Sequence, residues 1–433
     1  MDCRRLRGAV NIVTIVFAMT AVALIALGPT TAALLPATSK WQRLRLWWRK
    51  WTSASVSAWL GLVAALIEGL LGVRFVVTGT PLPSDAHVVI MNHRTRLDWA
   101  LLWPVARRAG VLHAVRIALK ASLRMVPFGG YAMQLGRFLF LHRKYEIDAP
   151  YIGPMLRVMA GEPTEYYSFL IFPEGTDLHP GGITKSDAYA AQHGLERRVY
   201  TMHPRSRGFQ LAIQTLRGAA RPLQHVCDAT IAFSDGEIAQ GEDALWTGMM
   251  PRIVHVHVEA YDANAALPGD DVGLAVWLTK RFAEKEAALA LFYEHGYGLA
   301  EAFDVLRGGV SASTNDEDDI RRASNRTTRA SVAMSCSAWI RRYLAPLCAC
   351  AAALAVCILL LSSYPREFGI YVAVYLVVNI IVTSVFGGWQ RFEIALEGEA
   401  PSPTSVTRGS SNGGSRDGDG PATAEGNDSP LTS

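Results

Sequence analysis

The chain has 433 residues, half of them apolar, with only 18% charged and a formal net charge of +4. That length holds one sizeable domain or two small ones, and so slight a positive balance makes no case for nucleic acid as a partner. A positive mean hydropathy is out of place in a wholly soluble enzyme and fits a bilayer-associated protein with one water-facing domain.

The first apolar run, about Val10 to Pro36, follows the basic cluster Arg4, Arg5 and Arg7. At roughly 25 residues it exceeds an ordinary signal core, which favours an anchor over a cleaved signal peptide. Between Trp41 and Trp51, tryptophans alternate with Arg43, Arg45, Arg49 and Lys50. Indole rings prefer the headgroup level and cations attract anionic lipid, so this segment reads as interfacial. A second apolar stretch, about Ser57 to Val77, carries a single acid, Glu68. Basic charge precedes the first run and separates it from the second, so one of the two reads as a re-entrant hairpin.

Residues 80 to about 300 read as globular. Ala86–Met91 and Tyr167–Phe172 are apolar runs of buried-strand length, and Leu97–Arg108 has a helical pattern. Arg252–Glu259 alternates with period two and puts His255 and His257 on one face. Asp270 and Asp271 sit where they cap a helix continuing to about Tyr293. Strands interleaved with helices predict an α/β domain, here a mixed sheet flanked by helices.

From Ser311 to Arg329 an acidic run, Asp316–Asp319, gives way to basic Ser/Thr-rich sequence, the pattern of a solvated linker. Ser324 follows Arg321 and Arg322 there, a common setting for phosphorylation. Two further apolar stretches, about Tyr343–Leu361 and Phe368–Phe386, are interrupted at Pro365 and Arg366 and predict a transmembrane hairpin. After about Glu399 the Gly-, Ser-, Pro- and Asp-rich tail reads as disordered. The division expected is membrane segments over 1–78, a catalytic domain over 79–300, a linker over 301–340, the hairpin over 341–390 and the tail over 391–433.

Six cysteines, Cys3, Cys227, Cys336, Cys348, Cys350 and Cys357, form no CxxC pair. Neither a disulfide framework nor a zinc site follows; they read as small apolar fillers, with room for a palmitoylated thiol. No nearby carboxylate or cysteine completes a metal-ligand set with His255 and His257, which read as packing residues.

Two short segments carry chemistry. In Asn92-His-Arg-Thr-Arg-Leu-Asp-Trp99, His93 and Asp98 stand five apart. On one straight helix they would point about 140° apart. Contact requires His93 in a turn and Asp98 at the start of the following helix. A histidine so held takes a proton from a substrate hydroxyl while the carboxylate fixes its tautomer. In Phe172-Pro-Glu-Gly-Thr176, proline and glycine flank Glu174 at a sharp turn after a buried strand, where α/β sheets place ligands. Either alone is a weak signal, and their joint occurrence after two buried strands is a stronger one. Backbone amides near the Asn92 turn are the first guess for oxyanion donors.

The chain resembles the glycerolipid acyltransferases that use H-x4-D, and within them the lysocardiolipin and lysophosphatidic acid acyltransferase branch. The resemblance spans roughly residues 55 to 300. It rests on Asn92–Trp99, Lys120–Pro127, Gly130–Lys144, Phe172–Leu178, His203–Phe209 and Trp277–Tyr293. It implies that His93 and Asp98 are the catalytic pair and that Arg143 holds the acceptor's phosphate. It also implies that Glu174, Gly175 and Thr176 serve acceptor binding, with Lys120 near the phosphate. Arg205 falls where a fourth motif belongs, with a looser match. His142, beside Arg143, is expected to alternate away on a strand.

The activity so implied is acyl transfer from acyl-CoA to a lysophospholipid, with no metal and no cofactor beyond that co-substrate. Lysophosphatidic acid is the first acceptor expected, lysocardiolipin and lysophosphatidylinositol the next. The bilayer is the expected partner, and the domain should face the cytosol from the endoplasmic reticulum, with the mitochondrial outer membrane as alternative. Removing Met1–Arg74 should release the domain or cripple its use of lipid. A non-catalytic lipid-binding scaffold is the rival from another class. A serine hydrolase is disfavoured because no G-x-S-x-G elbow occurs.

Overall fold

The computed structural model describes residues 42–126, 129–161, 165–234, 250–308, 336–385, 387–389 and 391–392. The first apolar run, Trp41, the 311–329 linker with Ser324, and the tail after Glu399 lie outside the described residues.

A seven-stranded sheet organises the chain, in the order β1 (Arg74–Gly79), β7 (Ile253–Asp262), β6 (His225–Phe233), β2 (His87–Met91), β5 (Ser168–Ile171), β3 (Val115–Lys120) and β4 (Leu139–Leu141). Strands β2, β5, β3 and β4 run parallel, β6 joins β2 in parallel, and β7 is antiparallel to β6. The mixed sheet expected from the sequence is therefore present. Every residue of β2 is buried, as a parallel strand covered on both faces must be. Val89 and Met91 enter one apolar core and Val88 and Ile90 the other.

The first core is closed by α1 (Gln42–Gly69) and α2 (Asp98–Arg108), through residues such as Trp59, Leu60, Leu101 and Trp103. The second is closed by α4 (Tyr145–Ala160), α6 (Ser206–Arg217) and α7 (Asp271–His295), through Leu156, Phe209, Ile213, Leu278 and Phe282. Helices thus cover both faces of the sheet, with α3 (Gly129–Leu135) and α5 (Pro180–Gln192) falling between these in the chain. Asp270 caps α7 as predicted, accepting from the Gly273 N–H at 2.8 Å.

The second apolar stretch is corrected. Its helix ends at Gly69, and Arg74–Gly79 is an edge strand paired in parallel with β7. The segment from Arg49 to Gly69 is long and apolar enough to span a membrane, yet 56% of its best window is buried inside the protein. A core helix and a spanning helix share this composition, and here α1 is largely core. Removing residues 1–74 would strip Trp59, Leu60 and their neighbours from that core, so it is not a clean release of the domain. The boundary at 79 is likewise too late. The linker boundary at 301 is too early, because α8 (Leu299–Leu306) packs Ala302 and Phe303 against Ala288 and Leu289 of α7.

The C-terminal hairpin consists of α9 (Cys336–Ser363) and α10 (Pro365–Val385). Pro365 opens α10, where its missing N–H costs no helical bond. At 21 residues and about 1.5 Å rise each, α10 matches a bilayer's apolar thickness. Its Ile370, Val374, Val377, Ile380 and Ile381 are exposed, as are Ile358, Leu359 and Leu361 of α9. Both outer ends of the hairpin are tied to the catalytic body. Near the start of α9, Tyr343 donates to Glu68 of α1 and Arg107 donates to the Arg342 carbonyl at 3.0 Å. Past the end of α10, the Trp389 N–H donates to the Gln134 side chain at 3.0 Å. In the interfacial segment, Trp47 and Trp51 are exposed and stack with centroids 5.9 Å apart.

Candidate active site

The parallel strands end together, and the loops that leave them build the site. The turn holding His93 leaves β2. Phe172–Thr176 leaves β5. Lys120 ends β3, and Arg143 lies just past β4. Loops at the carboxyl edge of such a sheet are where α/β proteins bind ligands.

The turn after β2 is anchored by Asn92. Its side-chain oxygen accepts from the Ile231 N–H at 2.8 Å and its amide donates to the Ile231 carbonyl at 3.1 Å. This side chain therefore acts as one more rung of the β2–β6 ladder, beyond the last paired residue, Met91. His93 leaves the strand there, and Asp98 is the first residue of α2, the arrangement that the five-residue spacing requires.

Asp98 Oδ2 lies 3.0 Å from His93 Nδ1. The same oxygen accepts from the Thr95 N–H at 2.8 Å, and Oδ1 accepts from the Thr95 hydroxyl at 2.9 Å. The carboxylate is wholly buried and His93 is 7% exposed. Phe172 stacks on the imidazole with centroids 4.1 Å apart. Ring orientation is thus set by a carboxylate at one nitrogen and by an aromatic face.

Glu174 is not turned toward solvent as a ligand to a substrate would be. One carboxylate oxygen accepts from the His93 N–H at 2.8 Å and the other from the Met202 N–H at 3.0 Å. Burial pushes its carboxyl up to about 8, against the pull of those two N–H groups, with Asp98 adding to the rise and Lys285 opposing it. Gly175 has φ +78°, and a Cβ there would lie 3.3 Å from the Arg205 side chain. The turn therefore needs glycine both for its left-handed backbone and for the close approach of Arg205. The Arg205 N–H donates to the Pro173 carbonyl at 2.7 Å, tying the head of α6 to the same turn. Thr176 donates to Asp177 at 3.2 Å.

Asp177 gathers the cations. Its carboxylate lies 3.6 Å from Arg96 and 3.8 Å from His179. Burial would raise its proton affinity, but a backbone N–H and the charges of His93, His179 and Arg96 outweigh it and hold it below the ordinary value. Arg143 belongs to the same cluster. Burial brings its guanidinium below the ordinary value, Asp177 opposes this, and the nearby Arg205 and Arg96 add to it. Lys120 is exposed and pairs in register with Leu141, two residues before Arg143.

His142 is corrected. It does not continue β4 but begins a turn, with its Nδ1 3.1 Å from Asp148. Asp148 also accepts from the His142 N–H at 2.9 Å and the Lys144 N–H at 3.3 Å. Arg143 sits between those two residues with φ +63°. Asp148 therefore holds the backbone that presents Arg143. His255 and His257 pack against Phe292 and Phe303, and among the described residues no cluster suited to a metal occurs.

A buried layer lies behind the site. Lys285 of α7 is fully buried, pairs with Asp228 and donates to the Ala229 carbonyl at 2.5 Å. Glu286 accepts from the N–H groups of Val199, Tyr200 and Thr201 and so fixes the loop leading to Met202. Asn92, Asp148 and Lys285 had no separate sequence signal, although Asn92 and Lys285 fall inside the blocks on which the resemblance rests.

The family model described as Acyltransferase matches residues 74–226, and a second, Acyltransferase C-terminus, matches residues 244–304. The chain is 39% identical over 287 residues to lysocardiolipin acyltransferase 1 of Danio rerio, covering 66% of this chain and 70% of that one. It is 30% identical over 264 residues to lysophosphatidylinositol acyltransferase 10 of Caenorhabditis elegans, covering 60% of this chain and 67% of that one. A solved 1-acyl-sn-glycerophosphate acyltransferase, PlsC of Thermotoga maritima, aligns over 65% of this chain and 97% of its own, with 15% identity and a TM-score of 0.39. The chain belongs to the glycerolipid acyltransferase family, and it is an acyltransferase.

Proposed function

We propose that the protein transfers a fatty acyl group from acyl-CoA to the free hydroxyl of a lysophospholipid at a membrane surface. The observation that carries this is the His93–Asp98 pair at 3.0 Å, set beside the cluster of Arg143, Arg205 and Arg96. Asp98 engages Nδ1 and so leaves Nε2 to accept the acceptor's hydroxyl proton. The freed oxygen attacks the thioester carbonyl. The carbon–sulfur bond breaks, and the proton goes from His93 to the departing CoA thiolate. No acyl-enzyme is required.

Arg143 binds the acceptor's phosphate, since a planar guanidinium presents two donors to two oxygens. Arg205 and Lys120 add positive charge on either side. Glu174 and Gly175 shape the turn under His93. Asn92 pairs with Ile231 through its side chain and leaves its own backbone to define where His93 emerges.

The acceptor favoured is a phosphodiester lysolipid, lysocardiolipin before lysophosphatidylinositol, because both relatives' names specify such headgroups. Lysophosphatidic acid, a monoester and the first expectation from sequence, is the second reading. The apolar hairpin and exposed Trp47 and Trp51 support a membrane-bound enzyme whose site meets acyl-CoA at the cytosolic face of the endoplasmic reticulum. The test is transfer of labelled oleate from oleoyl-CoA to a panel of lysophospholipids in membranes carrying wild type or His93→Ala. A diacyl product made only by wild type supports the mechanism. Silence on every acceptor, or equal activity of the two, overturns it.

A further inference from the structure

A shallow recess open to solvent lies beside the Arg143 turn, and neither His93 nor Asp98 lines it. Arg124, Leu141, Asp148, Tyr151, Gly387 and Arg391 line it. Arg124 comes from a short 3-10 turn after β3, and Arg391 from the segment following α10. Arg124 donates to the Gly387 carbonyl at 2.5 Å, and its Nε is buried without a protein partner. The Arg391 guanidinium stands 3.7 Å from the Tyr151 ring centroid.

Two successive glycines lie against these arginines. A Cβ at Gly387 would lie 2.9 Å from Arg391 Cδ, and one at Gly388 would lie 2.7 Å from the Gln134 side-chain oxygen and 3.3 Å from Arg124 Cδ. Their φ angles, +74° and +118°, also exclude most side chains. Among the described residues neither arginine meets a carboxylate at ion-pair distance. Asp148 shares the recess, but its oxygens are engaged by His142 and Lys144. Burial, and the charge of Arg391, bring the Arg124 guanidinium below its ordinary value. Two partly desolvated guanidiniums facing one recess repel each other, and an anion between them removes that repulsion and supplies the missing acceptors.

The recess also has a defined height. Arg391 lies six residues past the end of the apolar α10, beside Trp389, whose indole donates to Asn379 at 2.7 Å. Arginine and tryptophan at the end of a spanning helix belong at headgroup level. Leu141 and Asp148 connect the recess to the turn of Arg143.

We propose that Arg124 and Arg391 form a second phosphate site, which takes the second phosphate of an acceptor lipid carrying two while Arg143 holds the first. This rests on the acyltransferase reading above. The phosphates of CoA are the other source of the same chemistry, and headgroup-level placement favours the lipid.

The experiment compares wild type, Arg391→Gln and Arg391→Lys with lysocardiolipin, lysophosphatidic acid and oleoyl-CoA as varied substrates. Loss of a charge-assisted contact predicts that Arg391→Gln raises KM for lysocardiolipin about tenfold or more. The constants for lysophosphatidic acid and oleoyl-CoA should stay unchanged, and Arg391→Lys should recover part of the loss. A rise in KM for oleoyl-CoA instead would transfer the site to CoA and overturn the lipid assignment. Unchanged constants for all three would remove the site. Binding of the inactive His93→Ala protein to micelles of cardiolipin or phosphatidic acid, with and without Arg391→Gln, reads the recess without turnover. Equal binding of cardiolipin by both proteins overturns the proposal even where no acceptor is turned over.

Discussion

The backbone N–H of His93 donates to the buried carboxyl group of Glu174 at 2.8 Å, across 81 residues of sequence. Glu174 thereby braces the turn that positions the imidazole, and through Met202 it also ties in the loop ahead of α6. This is a positioning role, and it separates from acceptor binding by kinetics. Glu174→Gln keeps the shape but places an NH2 against one of two N–H donors. One buried N–H is left unpaired, at a cost of about 1–3 kcal/mol. Steady-state measurement should find kcat reduced with KM for the lysolipid nearly unchanged. A large rise in KM with intact kcat would return Glu174 to the acceptor pocket.

The same carboxyl makes stability depend on pH. Its folded value, about 8, lies above the ordinary 4.5. Between those values the folded protein holds a proton that the unfolded chain has released. Stability from this group is therefore full below about 4.5 and falls as pH rises toward 8. Thermal unfolding in detergent should show wild type losing stability across that window relative to Glu174→Gln. Parallel curves for the two proteins would mean that Glu174 stays ionised.

Asp98→Asn should be nearly as damaging as His93→Ala. An asparagine that keeps its oxygen in the Oδ2 position still meets both the Thr95 N–H and His93 Nδ1, and its amide donates to the Thr95 hydroxyl. What is lost is the negative charge that stabilises the imidazolium formed when His93 takes the substrate proton. A fall in kcat on the order of 10²–10⁴-fold is expected, the usual range for a general base. Activity within tenfold of wild type would mean that the charge of Asp98 does not support His93 as a base.

Function and fold are legible in the residues where chemistry and local pattern coincide. His93 in a turn and Asp98 at a helix start follow from a five-residue spacing; Ser168–Ile171 is visible as an apolar run, Asp271–His295 by its capping aspartates, and the start of β7 by its period of two. Asn92 paired with Ile231, or Asp148 under Arg143, depends on which loops the fold brings together, and neither partner's type announces it. The stretch from Ser57 to Val77 misled for a different reason. Hydropathy measures transfer from water and does not distinguish lipid from a neighbouring helix, so α1 and the edge strand β1 read as one span.

Asp148→Asn should loosen the Arg143 turn without touching the His93 pair. Asparagine replaces one accepting oxygen by a donor, so one of the His142 and Lys144 contacts is lost. Arg143, held at φ +63°, would relax to a commoner backbone. KM for the lysolipid should rise several-fold while kcat at saturation persists. An unchanged KM would show that Arg143 does not depend on this turn.

Lys285 and Asp228 form a buried ion pair within the field of Glu174. Removing one partner leaves a charge in an apolar setting, and a typical cost is about 3–5 kcal/mol. Lys285→Met should therefore strongly destabilise the domain, whereas Lys285→Met with Asp228→Leu should recover much of the loss. The double variant also tests electrostatics at the site. Lys285 lowers the proton affinity of Glu174, so a folded double variant should hold the Glu174 proton to higher pH and shift the stability profile with it. A double variant as unstable as the single one would mean that Lys285 acts through its contacts with Ala229 and Thr230 rather than through its charge.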